Sequence, residues 1–186
     1  IIRSIYHYKL ALLGAIVYGF PSRKIKVLAV TGTKGKSTTL EILNAILEEA
    51  GRKTALSSTI RFKIGGETKP NLYKMTMPGR FFLQKLLRKA VWAKCDYALI
   101  EMTSEGVKQF RHKFIELDAL IFTNLAPEHI ESHGSYQKYL EAKLEIARAL
   151  AKSPKPGKIL AVNEDDKESG KFLAFNIEKK IKFNLK

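Results

Sequence analysis

A chain of 186 residues, 45% of them hydrophobic and 27% charged, is long enough for one domain with a substantial core and too short for two full α/β domains. Lys and Arg outnumber Asp and Glu by 33 to 18, and the net charge of +15 favours an anionic partner: a nucleotide, a nucleic acid, a diphosphate-linked substrate or an acidic membrane surface. The single cysteine, Cys95, excludes an internal disulfide and is compatible with a reducing cytoplasm.

The N-terminal stretch IYHYKLALLGAIVYGF is apolar, contains one lysine and one histidine, and is followed by Pro21. About 20 apolar residues are needed to cross a bilayer, so the stretch is short for a membrane span. The residues YGFPSRK also form a poor cleavage site for a signal peptide. We expect residues 1–24 to be a helical lead-in packed on the domain, with peripheral membrane contact by residues 1–20 as the alternative.

Strand-like and helix-like segments alternate along the rest of the chain. This alternation predicts an α/β fold with a mostly parallel sheet, flanked by helices and carrying a small β-hairpin that turns at Gly65-Gly66. Gly51 stands where the first of these helices needs a C-terminal cap. The predicted elements in chain order are strand 25–31, helix 37–50, hairpin 60–69, helix 80–93, strands 97–102 and 119–124, helix 135–152 and strand 158–163.

The segment GTKGKS, residues 32–37, lies between the first strand and the first helix. The common phosphate-binding loop has four residues between its glycines, whereas here only two separate Gly32 from Gly35. The context still fits a phosphate cradle, because glycines let backbone N–H groups approach an anion and a helix start adds free donors. Lys36 can neutralise phosphate oxygens, and the Ser37 hydroxyl is a hard ligand suited to Mg²⁺. The alternative is an ordinary glycine-containing turn with surface lysines.

Polar groups follow two other predicted strands. Glu101 ends one strand, Asn124 ends another, and His129 comes shortly after the second. In open α/β sheets, ligands gather beyond the carboxyl ends of the strands, so these side chains are candidates to hold a cation beside the loop. Taken singly, each is more typical of a solvated strand end or a surface loop.

Four segments, VTGTKGKSTT, IEMTSEG, IFTNLAPEHIESHG and YLEAKLEIA, resemble the Mur ligase family in their order and spacing. These enzymes form amide bonds with ATP in the synthesis of cell-wall precursors, and the shortened loop is the family's own pattern. The resemblance covers residues 25–163 and is closest to the branch that adds the third amino acid to UDP-N-acetylmuramoyl-dipeptide. It implies a three-layer, P-loop-type domain.

The resemblance also implies roles for individual residues on the nucleotide side. Lys36 and Ser37 contact the ATP phosphates and a first Mg²⁺, while Glu101 and His129 help to hold a second metal. Lys143 matches a family lysine that CO₂ converts to a carbamate, a change that turns a cation into an anionic oxygen ligand. Without the resemblance, Lys143 reads as an exposed helical lysine. Lys36, His129 and Lys143 are the implied catalytic residues, and the nucleotide-binding residues are Gly32, Thr33, Lys34, Gly35, Lys36, Ser37, Thr38 and Asn124.

On the substrate side, KMTMPG resembles the family's N-T-T-P motif and aligns Thr76 with its hydroxyl. Ser104, Gln109 and Arg111 fall on residues that contact the UDP-muramoyl-peptide. An arginine suits that position because its planar fork grips a carboxylate or phosphate through two hydrogen bonds. The alternative for Arg111 is a surface ion pair.

The chain departs from the family pattern at three places. Thr103, Ser104 and Glu105 stand where S-S-H is usual, residues 128–131 read E-H-I-E in place of D-H-L-D, and Lys34 replaces Asn or Asp. Glu105 in place of histidine changes a substrate contact. Lys34 adds positive charge beside the phosphates.

Residues 25–186 are expected to form the central ATP-binding domain of such a ligase. The family's N-terminal UDP-binding and C-terminal domains are absent, so we expect either a fragment truncated before the central domain finishes or a divergent short member, inactive alone and cytoplasmic. The implied partners are a UDP-N-acetylmuramoyl-peptide and an amino acid. The sequence predicts neither the acceptor amino acid nor the oligomeric state.

Two other functions remain open. One is another ligase of the same superfamily, similar to folylpolyglutamate synthase or to the amidating muramoyl ligase. The other is a basic P-loop or nucleic-acid-binding module without ligase activity. Only the net charge supports this second alternative, since no nucleic-acid recognition motif is visible and no specific nucleic acid is expected.

Overall fold

A computed structural model describes residues 2–73, 75–127 and 130–184. Within these residues, the strands form one sheet, helices cover both of its faces, and a short 3₁₀ turn at Pro21–Lys24 leads into the first strand. The strands are β1 (Lys26–Thr31), β2 (Thr54–Ser57), β3 (Arg61–Ile64), β4 (Glu67–Pro70), β5 (Tyr97–Glu101), β6 (Ala119–Phe122), β7 (Ile159–Asn163) and β8 (Lys179–Phe183). The helices are α1 (Ile2–Val17), α2 (Lys36–Glu49), α3 (Arg80–Trp92), α4 (Ser104–Lys108), α5 (Ile130–His133), α6 (Tyr136–Ala151) and α7 (Ser169–Leu173).

The order of the strands places β1 in the interior of the sheet. That order is β4-β3-β2-β5-β1-β6-β7-β8. The pairs β2–β3 and β3–β4 are antiparallel, and all other neighbouring strands are parallel. From β1 the chain moves toward β2, whereas from β5 it crosses in the opposite direction to β6. The carboxyl ends of β1 and β5 therefore meet at the point where the winding reverses, which is where open α/β sheets bind ligands.

The central strands are buried on both faces, and this accounts for their continuous apolar sequences. On one face, Leu40 of α2 packs with Val30, Leu56 and Leu99. The opposite face carries the larger core, where α3, α6 and α7 cover the sheet. There the Phe122 ring of β6 stacks on the Phe172 ring of α7, with centroids 3.9 Å apart. The three-layer α/β fold predicted from the sequence is confirmed.

The predicted elements are all present, with ends that differ by one or two residues. Helix α6 begins one residue later than predicted because the Ser135 side chain caps it, accepting a hydrogen bond from the Lys138 N–H at 3.2 Å. Gly51 ends α2 and Gly65 turns the hairpin, and both adopt the positive φ for which glycine is favoured, 72° and 57°. The elements that were not predicted are β2, α4, α5, α7 and β8.

Helix α1 lies on α3 through its small residues. Ala11 and Ala15 are buried, and Gly14 lies against the start of α3 at Arg80 and Phe81. The carbonyl groups at the end of α1 accept hydrogen bonds from Arg88, at 2.6 and 2.8 Å. Among the described residues, no helix has the length and apolar character needed to cross a membrane.

His112 is a buried histidine whose ring nitrogens have no hydrogen-bond partner among the described residues. Burial, together with the positive charge of Lys113, lowers its pKa to about 4 although Glu145 opposes the shift. Because the unfolded chain binds this proton more readily, the stabilisation from His112 is complete above about pH 6.5 and is lost as the pH falls toward 4.

We therefore expect His112→Leu to remove a pH-dependent loss of up to about 3 kcal/mol in the free energy of unfolding between pH 6.5 and 4. Urea unfolding of both proteins across this range measures the difference, while the remaining acid-sensitive groups are common to both. If the free energies of unfolding of the two proteins changed with pH in parallel, the loss could not be attributed to His112.

Candidate functional site

The glycine loop joins the end of β1 to the start of α2. Gly35 is the N-cap of the helix, with φ of 79°, and a Cβ added there would meet no atom within 4 Å. The loop therefore faces open space at the helix N-terminus, where the first-turn N–H groups have no helical acceptors. The Lys36 amine bends back to the loop and donates to the Thr33 carbonyl at 2.8 Å, and Thr38 is exposed on the first turn.

The loop backbone is held in place by residues after β6. The Asn124 side chain accepts a hydrogen bond from the Lys34 N–H at 2.9 Å and donates to the Lys34 carbonyl at 3.1 Å. The Thr123 hydroxyl donates to the same carbonyl at 2.8 Å, and the Thr33 N–H donates to the Asn124 carbonyl at 2.9 Å. Asn124 thus fixes the conformation of the glycine loop.

A buried carboxylate lies at the carboxyl end of β5. Glu101 is 2% exposed and accepts hydrogen bonds from the Ser37 hydroxyl at 2.8 Å and from the Thr59 N–H at 2.9 Å. The Thr59 hydroxyl contacts both Glu101 and Thr76, the latter at 2.8 Å. None of these partners in the described chain is a cation. A buried carboxylate beside a hydroxyl, with no counter-charge from these residues, is a donor set that a hard divalent cation fits.

Lys143 is a buried lysine that reaches the glycine loop from α6. It is 2% exposed, which excludes the alternative of a plain surface lysine. Its amine donates to the Gly32 carbonyl at 2.6 Å and lies 4.7 Å from the centre of the Tyr139 ring, whose hydroxyl is 3.0 Å from the Thr33 hydroxyl. Lys143 and Ser37 therefore lie at the same edge of the sheet.

A cavity of about 430 Å³ connects the glycine loop to the predicted substrate residues. Its lining includes eight of the residues singled out from the sequence: Gly32, Thr33, Lys36, Thr76, Ser104, Gln109, Arg111 and Lys143. It also includes Met75, Met77, Thr103, Glu105, Gly106 and Tyr139. The structure brings the glycine loop and the predicted substrate residues to one continuous space.

One wall of this cavity is positively charged. Arg111 donates to the Gln109 side chain at 2.6 Å and to the Met77 carbonyl, while Arg80 donates to the Gln109 carbonyl at 2.8 and 3.1 Å. Burial lowers the pKa of Arg111, and the nearby charge of Arg80 lowers it further. An arginine keeps its charge despite such shifts, so the two side chains favour an anion at this wall.

Sequence reasoning missed His133, which is buried beside the same cavity. Its Nε2 lies 3.0 Å from the Ser104 hydroxyl and 3.2 Å from a carboxylate oxygen of Glu105. Burial opposes ionisation of Glu105, but hydrogen bonds from Ser132 and Lys108 outweigh it and hold the pKa of Glu105 below its ordinary value. In the sequence, the only feature that could have indicated this residue is its place as the second histidine of HIESHG.

Three of the four predicted metal ligands, Ser37, Glu101 and Lys143, are among the described residues. The fourth, His129, lies outside them, as does Glu128. Among the residues that are described, no group of three or more His, Cys, Asp or Glu side chains is arranged to hold a metal ion. The predicted set differs from such a cluster, because it includes the Ser37 hydroxyl and a modified Lys143.

The strand-loop-helix geometry and the parallel sheet define a P-loop-type α/β domain. A family profile described as the Mur ligase middle domain matches residues 30–186. The chain belongs to the Mur ligase family. In sequence it is similar to a UDP-N-acetylmuramoyl-L-alanyl-D-glutamate–2,6-diaminopimelate ligase of Syntrophomonas wolfei, with 34% identity over 155 residues, 83% of this chain and 31% of that protein.

Two further relatives support the same assignment. A UDP-N-acetylmuramyl-tripeptide synthetase of Roseiflexus is 36% identical over 172 residues, covering 88% of this chain and 34% of that protein. A solved structure of a UDP-N-acetylmuramoyl-L-alanyl-D-glutamate–2,6-diaminopimelate ligase superimposes with a TM-score of 0.71 and 25% identity, over 87% of this chain and 32% of that one. The chain thus spans about a third of the length of these relatives.

Gly32 is the residue whose substitution tests the loop. Its φ is 152°, and an added Cβ would collide with the Thr123 hydroxyl, which is itself held by the Lys34 carbonyl. Gly35 also has a positive φ, but an added Cβ meets open space. We expect Gly32→Ala to lower the free energy of unfolding by about 3 kcal/mol, from strain plus overpacking, and Gly35→Ala by about 1 kcal/mol, from strain alone.

Urea unfolding without nucleotide measures both variants. Equal losses would show that the contact between Gly32 and Thr123 does not constrain the loop.

Proposed function

We propose that this chain is the ATP-binding part of a ligase that joins an amino acid to a UDP-N-acetylmuramoyl-peptide through an acyl phosphate. The observation that carries the proposal is the cavity that runs from Gly32 and Lys36 to Arg111. It offers a phosphate cradle at one end and an arginine wall at the other, as a reaction between a triphosphate and a carboxylate requires. Residues 25–186 are taken as the central domain and residues 1–24 as a lead-in.

The glycine loop is assigned to the triphosphate. Its backbone lies at the N-terminus of α2, where N–H groups and the helix dipole favour an anion. The Lys36 amine, which donates to the Thr33 carbonyl, lies on this loop and is assigned to the phosphate oxygens. The nucleotide set is Gly32, Thr33, Lys34, Gly35, Lys36, Ser37, Thr38 and Asn124, with Asn124 acting by shaping the loop.

Magnesium is assigned to the edge of the sheet beside this loop. The Ser37 hydroxyl is assigned to a first Mg²⁺. The Glu101 carboxylate, 2.8 Å from that hydroxyl, is assigned to a second, with His129 and a carbamylated Lys143 as further ligands. Bound Mg²⁺ neutralises the negative charge of the phosphates and polarises the transferred group. This neutralisation matters because a carboxylate and a triphosphate repel each other.

The muramoyl-peptide is assigned to Thr76, Ser104, Gln109 and Arg111. Arg111 can hold its carboxylate or phosphate bidentately. A carboxylate oxygen attacks the γ-phosphorus, the bond to the β,γ-bridging oxygen breaks, and ADP leaves with that electron pair. The amine of the amino acid then attacks the acyl carbon, phosphate departs, and the amine loses a proton. The chain's contribution is to position both anions and screen their charges.

The relatives named as diaminopimelate ligase and tripeptide synthetase support the tripeptide-forming branch. This chain matches about a third of each, so we assign recognition of the acceptor amino acid to parts of a ligase outside the matched region. Because ATP is the proposed substrate, we place the activity in the cytoplasm.

The phosphate assignment is tested with a non-hydrolysable ATP analogue and Mg²⁺. We expect Lys36→Ala to raise the dissociation constant by about tenfold or more, since it removes a charge-assisted contact to phosphate. Isothermal titration calorimetry of the chain measures the change. Lys179→Ala, on the exposed edge strand β8, removes the same charge and should bind like the parent protein. Equal affinities of the two variants would contradict the assignment.

The carbamate assignment is tested with isotopically labelled bicarbonate. We expect a carbamate signal in the nuclear magnetic resonance spectrum of the parent protein, strengthened by Mg²⁺, and its loss in Lys143→Arg. Arginine keeps the positive charge and a donor for the Gly32 carbonyl but does not form the carbamate. An unchanged signal in the variant, or no signal in the parent protein, would exclude the modification of Lys143.

A further inference from the structure

Helix α1 is apolar on both of its faces, and its larger side chains point away from the domain. The face against α3 is made of the small buried residues Ala11, Gly14 and Ala15. The opposite face carries large apolar side chains that are 48% to 60% exposed: Ile5, Tyr6, Leu13, Ile16 and Val17. A packed surface helix normally turns its large apolar residues inward, so the outward face needs an apolar partner.

These outward residues form one continuous surface. At about 100° per residue, positions 5, 6, 9, 13, 16 and 17 fall on the same side of a helix. Lys9 is the only charged member of this set and is exposed. Tyr6, on this face, is 58% exposed near the start of the helix, and tyrosine suits a boundary between apolar and aqueous phases.

The charge around α1 indicates which partner fits. The first forty residues contain seven Lys and Arg and no Asp or Glu. Two of the seven belong to the glycine loop; the others are Arg3, Lys9, Arg23, Lys24 and Lys26. Arg23 is offset by Glu116, with which it forms an ion pair at 2.7 Å. A second copy of a chain with net charge +15 would bring like charges together. An anionic lipid surface offers hydrocarbon and negative charge at once.

We propose that the outward face of α1 docks into the surface of an anionic lipid bilayer, with the helix lying in the membrane plane. At 16 residues α1 is about 24 Å long, which is short for a span but sufficient for an interfacial helix. The domain remains on the aqueous side, attached through the small-residue contact with α3. This inference does not depend on the proposed ligase function.

The test is flotation of the full chain with vesicles, either of phosphatidylcholine alone or of phosphatidylcholine mixed with an equal part of phosphatidylglycerol. We expect the chain to float with the anionic vesicles and not with the neutral ones. The double variant Leu13→Glu/Ile16→Glu should bind the anionic vesicles at least about tenfold more weakly than the parent protein, because both side chains lie on the docking face.

The matched control is Ile42→Glu/Ile46→Glu on α2, whose isoleucines are 56% and 59% exposed and which introduces the same charge. It should bind vesicles like the parent protein. Thermal unfolding checks that all variants are folded; these positions are exposed, so similar midpoints are expected.

Four outcomes would overturn the proposal. Two concern the parent chain: failure to bind anionic vesicles, and equal binding to neutral ones. The third is an equal loss of binding in the two double variants, which would show that only net charge attracts the chain. The fourth is a dimer of the parent chain in size-exclusion chromatography that the α1 variant dissociates, without vesicle binding; a second copy would then cover this face.

Discussion

The whole site depends on one crowded position, Gly32, at the end of the central strand. Its backbone has a φ of 152°, its Cα leaves no room for a side chain beside Thr123, and its carbonyl accepts the hydrogen bond from Lys143. Strands β5 and β6 flank β1 on both sides, so residues that follow three separate strands meet here. Because of the strand order, the glycine loop, the carboxylate at the end of β5 and helix α6 meet at this position.

Glu101 lies beside this junction with no cation among its described partners. Its hydrogen bonds come from the Ser37 hydroxyl and from Thr59, while the Lys143 and Lys36 amines donate to carbonyl groups of the loop. If one of these amines paired with Glu101 directly, an incoming metal ion would first have to break that ion pair. Neutral hydrogen-bond donors leave the carboxylate ready for a cation, which is the form of preorganisation that electrostatic catalysis needs.

The strand β1, the glycine loop and helix α2 could be predicted because their apolar runs and glycines are adjacent in sequence. Strand β2, TALS, could not, since it is four residues long, half polar and fully buried, a pattern set by its neighbours in the sheet. Strand β8 consists mostly of lysines at an exposed edge, so its sequence carries no core signal. His133 contacts Ser104 and Glu105, which are far from it in sequence. They come next to it only once α4 and α5 are folded, so its burial could not be predicted.

Glu105 shows how an unusual residue can be accommodated at the cavity. A carboxylate there, where the family pattern has histidine, would repel an anionic substrate if its charge were unopposed. The Lys108 amine lies 3.3 Å away, the Ser132 hydroxyl donates at 2.7 Å, and His133 lies at 3.2 Å. These partners offset the charge of Glu105, whose negative field also reaches Arg111 and opposes the lowering of the Arg111 pKa. Lys108, Ser132 and His133 therefore accommodate the carboxylate at the cavity.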